Sequence, residues 1–179
     1  MPSMRPSLQV RALATALAAL TGCSEPALPP YTRLDGASPA VEGLPEGAAL
    51  VVFWATWCPP CREELPALRS LAKQPPQGVT VVTLGEDEPE AAIRAFFQGP
   101  PPPDLGYRRD SDGRAAAAFG VDALPTAILV KDGRLVARFD GPQDWASRGM
   151  RRLLAKLAEG GAPPTPAGRP AVDATPGSK

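Results

Sequence analysis

Cys58 and Cys61 are separated only by Pro59 and Pro60, and they are the residues of this chain best suited to do chemistry. A C-x-x-C pair supports thiol–disulfide exchange when it stands where a strand ends and a helix begins. Helical geometry from Cys58 onward brings both sulfurs within bonding reach. The first cysteine meets the free N–H groups and the positive end of the helix dipole, which favour a thiolate. The thiolate is the attacking species, although a lower pKa also lowers its intrinsic nucleophilicity. Cys58 is therefore expected to be the nucleophile and Cys61 the resolving cysteine. The other readings of such a pair are half a zinc site and an inert structural disulfide. Zinc needs two more ligands, and the chain of 179 residues has no histidine and no second cysteine pair. The missing histidine also excludes Ser–His and Cys–His catalysis and imidazole acid–base chemistry.

The elements that must position the pair are legible around it. Residues 48–54, AALVVFW, form a nearly continuous apolar run, as expected of a strand buried on both faces. A helix follows over Pro59–Lys73, with Leu65, Leu68, Leu71 and Ala72 on one side. Residues 79–84 read as a second buried strand. Pro89 suits the first turn of a helix whose core face is Ile93, Phe96 and Phe97, with Gly99 and Pro100–Pro103 stopping it. Arg114–Phe119 reads as a short helix ended by Gly120. Ala127–Val130 and Leu135–Phe139 flank Lys131-Asp132-Gly133-Arg134, a strong hairpin signal. A last helix starts near Asp144 as N-cap and carries Met150, Leu153, Leu154 and Leu157. Parallel pairing early and a hairpin late predict an α/β fold with one mixed sheet and helices on both faces.

Composition sets the outer bounds. The formal net charge is zero, with 19 basic and 19 acidic side chains. Without residues 1–22, which contain Arg5 and Arg11, 17 basic remain against 19 acidic. Nucleic acid is therefore not an expected partner, since phosphate binding needs a basic surface. Residues 1–22 have the form of a secretory signal, with Arg5 and Arg11 before the short apolar stretch Ala12–Leu20. That stretch is about half the length needed to span a bilayer. Residues 24–30 are a Pro-rich tether, and 160–179 are rich in Gly, Pro and small residues, with no apolar periodicity, so this tail is expected to be disordered. The folded domain is expected over 31–159.

Two stretches, FWATWCPPCREELP and GVDALPTAILVKDGRLVARFDG, resemble the thioredoxin superfamily and, within it, the envelope TlpA/ResA-like thiol–disulfide oxidoreductases. The resemblance spans about residues 31–159. It implies a thioredoxin-like fold with a central β-sheet and the active site at the start of the first main helix. Pro125 matches the family's cis-proline, which faces the cysteines and leaves the preceding residue's backbone free to pair with an extended substrate. Another reading of Pro125 is a trans loop proline at a strand start. Pro66 matches a helix-kinking proline with a structural role. The expected substrate-facing residues are Trp57, Pro59, Pro60, Leu124 and Pro125, with Trp54 mainly in the core. Related reductases carry a glutamate three residues after the second cysteine, here Glu64. At i+3 it shares the side of Cys61, and a partly buried carboxylate there could exchange protons with Cys61. Glu63 points away. The alternative for Glu64 is a solvated surface glutamate. Thioredoxins carry a buried aspartate six residues before the first cysteine, where this chain has Val52, which strengthens the case for Glu64.

Leu20-Thr21-Gly22-Cys23 looks like a bacterial lipobox, which makes Cys23 the lipid-attachment residue and removes it from redox chemistry. The other reading is an ordinary signal cut near Gly22. Residues 23–30 then tether a periplasmic-face domain to a membrane of the envelope. Pro59 and Pro60 donate no N–H and carry no charge, so the Cys58 thiolate gains little local support and the dithiol is a stronger reductant. The expected activity is reduction of oxidised envelope proteins, apocytochrome c among the substrates the resemblance implies, with a membrane thiol donor upstream. Thr126-Ala127 follows the proline where cytochrome-maturation specialists carry acidic residues, which weakens that assignment. A monomer is expected, with no cofactor and no metal. The competing readings are a disulfide oxidase or isomerase, and a non-catalytic binding module presenting the Trp57–Pro125 surface. A copper-delivery protein of the same fold would need a histidine.

Overall fold

The computed structural model describes residues 32–37, 43–86 and 89–160, with no side-chain placement for 32–37. The leader, Cys23, the tether and residues 161–179 lie outside the described residues. The elements in chain order are β1 (Thr32–Ala37), β2 (Ala48–Trp54), α1 (Pro59–Lys73), β3 (Val79–Glu86), α2 (Glu90–Phe97), β4 (Arg108–Asp110), α3 (Arg114–Phe119), β5 (Thr126–Lys131), β6 (Arg134–Asp140) and α4 (Arg148–Glu159), with a 3-10 turn at Pro103–Leu105. Among the described residues six strands form one sheet in the order β1-β6-β5-β2-β3-β4. β2 pairs parallel with β3, and β3 with β4; the β2–β5, β5–β6 and β1–β6 pairs are antiparallel. The expected mixed sheet is therefore present.

β2 lies between β3 and β5, and every one of its residues is buried, which explains its unbroken apolar run. Ala48, Leu50 and Val52 face a core shared with Leu65, Leu68 and Leu71 of α1 and Met150, Leu153, Leu154 and Leu157 of α4. Ala49, Val51 and Phe53 face the other side, where Ala116 and Phe119 of α3 pack with Ile128 and Val130. Helices thus cover both faces. Asp132 (φ 49°) and Gly133 (φ 72°) both take the left-handed conformation that a two-residue hairpin turn requires between β5 and β6.

Three expectations need correction. β1 and β4 were not anticipated. β4 is three residues of Arg-Arg-Asp, and β1 reads TRLDGA, so neither carries an apolar alternation. α4 begins at Arg148 and not near Asp144, because Ser147 is its N-cap and accepts a hydrogen bond from Met150 N at 3.2 Å. Trp145 turns inward before that cap, in a loop closed by Trp145 N→Gln143 O and Ser147 N→Asp144 O bonds, both 3.1 Å. Pro89 is the N-cap of α2 and stands one position ahead of its first turn.

Candidate active site

The site sits at the C-terminal end of β2. The chain leaves the sheet at Trp54 and enters α1 four residues later. Cys58 is the N-cap of α1, with Pro59 and Pro60 filling the first helical positions, where a missing N–H costs nothing. Cys58 and Cys61 form a disulfide, with 5.3 Å between their Cα atoms. The Cys58 sulfur accepts a hydrogen bond from Cys61 N at 3.3 Å. With prolines at the two intervening positions, Cys61 supplies the nearest helical N–H to that sulfur.

Both cysteines are largely buried, beneath Trp54 and Ala55. Trp54 is held by Phe96, Phe97 and Tyr107 at ring-centroid distances of 5.7, 5.7 and 6.2 Å. Gly85 pairs with Trp54 in the β2–β3 ladder, and a Cβ there would lie 2.5 Å from the Tyr107 hydroxyl. Glycine at this position therefore admits the tyrosine ring that backs the tryptophan. Trp57 is the opposite case, 64% exposed beside the disulfide.

A groove of about 470 Å³ opens at the cysteine pair. Cys58 lines it and Cys61 does not. Trp57, Pro59 and Pro60 form one wall, with Val121–Leu124 and Glu86 completing it. The Leu124–Pro125 peptide is cis, as the family resemblance implied. Leu124 faces the groove, while Pro125 is buried behind it. Leu124 precedes Thr126, the first β5 residue in both ladders, so its main chain is not committed to the sheet. The loop itself is fixed from β6. Arg138 donates from one terminal nitrogen to the carbonyls of Phe119 and Gly120, both at 3.2 Å, and from Nε to Asp140 at 2.7 Å. Thr126 Oγ1 donates to the Ala123 carbonyl at 2.8 Å. Neither anchoring role is legible in the sequence: Thr126 stands out there only as a non-acidic residue after the proline, and Arg138 has no local pattern that announces loop anchoring.

Glu64 lies one turn beyond Cys61 and is buried, whereas Glu63 is exposed. One carboxylate oxygen, Oε2, accepts from Gln143 N at 2.8 Å and from Trp145 Nε1 at 3.0 Å. The other, Oε1, has no hydrogen-bond partner. Desolvation pushes the Glu64 pKa from 4.5 up to about 7, against the lowering pull of the two donors. This holds with the disulfide closed. Val52, at the place of the thioredoxin aspartate, is fully buried in apolar company, so Glu64 is the buried carboxyl nearest the pair in sequence. Gln143 and Trp145 lie 79 and 81 residues away in the chain, which is why no local reading found them.

Residues 22–154 match the Redoxin family model. The chain belongs to the Redoxin family. Within this Redoxin chain, 117 residues are 38% identical to the thiol:disulfide interchange protein DsbE homolog of Paracoccus denitrificans, covering 63% of each chain. Another 31% identity over 116 residues relates it to the thiol-disulfide oxidoreductase ResA of Bacillus thuringiensis, covering 63% of this chain and 65% of that one. The Redoxin chain therefore spans just under two thirds of the length of these relatives. Among solved structures it is similar to the exposed lipoprotein thioredoxin Etrx1 of Streptococcus pneumoniae, with TM-score 0.51, 25% identity, and 63% of this chain and 84% of that one covered. A putative DsbE of Chlorobium tepidum shares the fold, with TM-score 0.54, 23% identity, and coverage of 63% and 80%.

Proposed function

We propose that the protein is a thiol–disulfide oxidoreductase that reduces disulfides of envelope proteins through a Cys58/Cys61 cycle. The observation that carries this reading is the groove that reaches Cys58 but not Cys61. The Cys58 thiolate attacks a substrate disulfide, forming a mixed disulfide and releasing one substrate thiolate. Cys61 then loses its proton and attacks the Cys58 sulfur. The intramolecular disulfide closes and the second substrate thiolate leaves. Two electrons pass from the dithiol to the substrate, and a membrane thiol donor restores the dithiol. Glu64 is the proton partner of Cys61 in this scheme. Its Oε2 is anchored by Gln143 and Trp145, which leaves Oε1 to take the proton.

Trp57, Pro59, Pro60 and Leu124 receive the substrate, and Pro125 holds the Leu124 main chain in place for it. The reductive direction rests on Pro59 and Pro60, which leave the Cys58 sulfur with Cys61 N–H as its helical donor. The envelope address rests on the leader at 1–22 and on Cys23 as the lipid-attachment residue. Similarity to an exposed lipoprotein thioredoxin supports it. Apocytochrome c is one substrate of this class to be tried.

The test is insulin reduction together with the reduction potential. Wild type should accelerate insulin precipitation and Cys58→Ser should not. The potential should fall below about −200 mV; a value near −120 mV, typical of a strongly oxidising envelope enzyme, would overturn the reductive reading.

A further inference from the structure

The turn that follows β6 is built around one glutamine. Asp140 ends the strand, Gly141 takes the left-handed conformation (φ 75°), and Pro142 brings no N–H, so Gln143 supplies the next main-chain donor. That donor is not spent on the turn. Gln143 N reaches across the fold to Glu64 Oε2 at 2.8 Å. The Gln143 side chain does the reverse and folds back on its own turn. Its Nε2 donates to the Asp140 carbonyl at 3.2 Å and to the Gly141 carbonyl at 3.1 Å. Carbonyls only accept, so the amide nitrogen and not its oxygen faces them. The Gln143 carbonyl accepts from Trp145 N at 3.1 Å, which fixes the far side of the turn. Trp145 is the second donor to the same Glu64 oxygen. Gly141 N donates to the Pro125 carbonyl at 2.9 Å, so the turn is also braced against the cis-proline. Gln143 itself is buried.

We propose that Gln143 is a positioning residue for the exchange reaction: its side-chain amide locks the turn after β6 in the conformation that presents the Gln143 main-chain N–H and the Trp145 indole N–H to Glu64. The proposal rests on Glu64 being the proton partner of Cys61. Two donors on Oε2 hold the carboxylate in one orientation, and Oε1 keeps one direction through the cycle. Without the side-chain lock the turn loses two hydrogen bonds. The N–H to Glu64 remains but loses its fixed aim. The mixed disulfide still forms at Cys58, because the turn is not part of the groove lining. What slows is the next step, in which Cys61 gives its proton to Glu64 and attacks the Cys58 sulfur, closing the disulfide and releasing the substrate thiolate.

The test compares four purified proteins: wild type, Gln143→Met, Glu64→Gln and the double variant. Methionine keeps the length of the side chain and loses both donors. Each reduced protein is mixed with a disulfide peptide and quenched in acid, and the mixed disulfide on Cys58 is followed by mass spectrometry. Its formation reads Cys58, and its decay reads the Cys61 step. Decay should be about fivefold slower in Gln143→Met than in wild type. In the Glu64→Gln background the same change should slow decay by less than about twofold, because Gln143 acts through Glu64. Gln143→Asn, which shortens the reach of the amide by one methylene, takes its place should Gln143→Met not fold. Equal slowing in both backgrounds, or none in either, overturns the proposal: the glutamine then only closes the end of β6. A decay that Glu64→Gln itself leaves unchanged overturns the Glu64 reading, and the proposal with it.

Discussion

Two loops flank the disulfide, and they use their polar groups in opposite ways. The loop between β6 and α4 turns inward. Gln143 and Trp145 are buried, and each brings an N–H to the same oxygen of Glu64. The loop between α3 and β5 turns outward. Asp122 and Ala123 are exposed and Leu124 is half-buried, while the backbone carbonyls behind them are held by Arg138 and Thr126. One loop therefore fixes the buried Glu64 carboxyl one helical turn past Cys61, and the other presents a surface beside Cys58. In the proposed mechanism the inner loop serves proton transfer and the outer loop substrate binding, so the two functions should be separable by mutation.

The largest separation should come from Trp145. Its ring packs on Phe139 at 5.8 Å and is almost fully buried. Trp145→Ala should cost about 3–5 kcal/mol, read as a fall in the urea midpoint. Trp145→Phe keeps most of the ring and loses the donor, so it should cost about 1–3 kcal/mol. If the two variants were equally unstable, the packing of the ring would be contributing nothing beyond the hydrogen bond to Glu64.

Next comes pH. Glu64 has a folded-state pKa of about 7, above its ordinary 4.5, so folding takes up a proton between those values. The stability tied to the protonated form is fully present below pH 4.5 and is lost as pH rises through 7. Oxidised wild type should therefore weaken across that window, and Glu64→Gln should flatten the curve. Glu63→Gln, on the exposed neighbour, should leave it unchanged. A curve that stays steep in Glu64→Gln would assign the titration to another group.

Arg138→Met probes the outward loop. It should cost about 1–2 kcal/mol in stability and act on exchange mainly through KM, since the loop proposed to receive substrate loses its backing. An unchanged KM would show that Thr126 alone holds the loop. The smallest stability effect belongs to Trp57→Ala. The ring is exposed, so the change should lie within about 0.5 kcal/mol, yet reduction of a peptide disulfide should slow severalfold.

The same contrast explains what could be read from the sequence. The inward frame was legible where it repeats locally. Val51 and its neighbours announced a buried strand, Leu65, Leu68 and Leu71 a helix face, and Asp132-Gly133 a hairpin. The cis peptide before Pro125 came from the resemblance and not from any periodicity. What stayed hidden was long-range or too short to have a period. Gln143 and Trp145 reach Glu64 from 79 and 81 residues away, and Arg138 reaches back to Phe119. Of the edge strands, β4 is only three residues long, and β1, as long as β5, has no apolar alternation to announce it. Asp144 reads as well as Ser147 for a helix cap until the burial of Trp145 decides between them.

The central claim is that Cys58 is the sulfur a substrate meets, and mass spectrometry of a trapped intermediate tests it most directly. Cys61→Ser protein, mixed with a disulfide peptide, should accumulate a mixed disulfide mapped to Cys58. The Cys58→Ser protein should accumulate none. A stable adduct on Cys61 in the Cys58→Ser protein, with none on Cys58 in the Cys61→Ser protein, would contradict it.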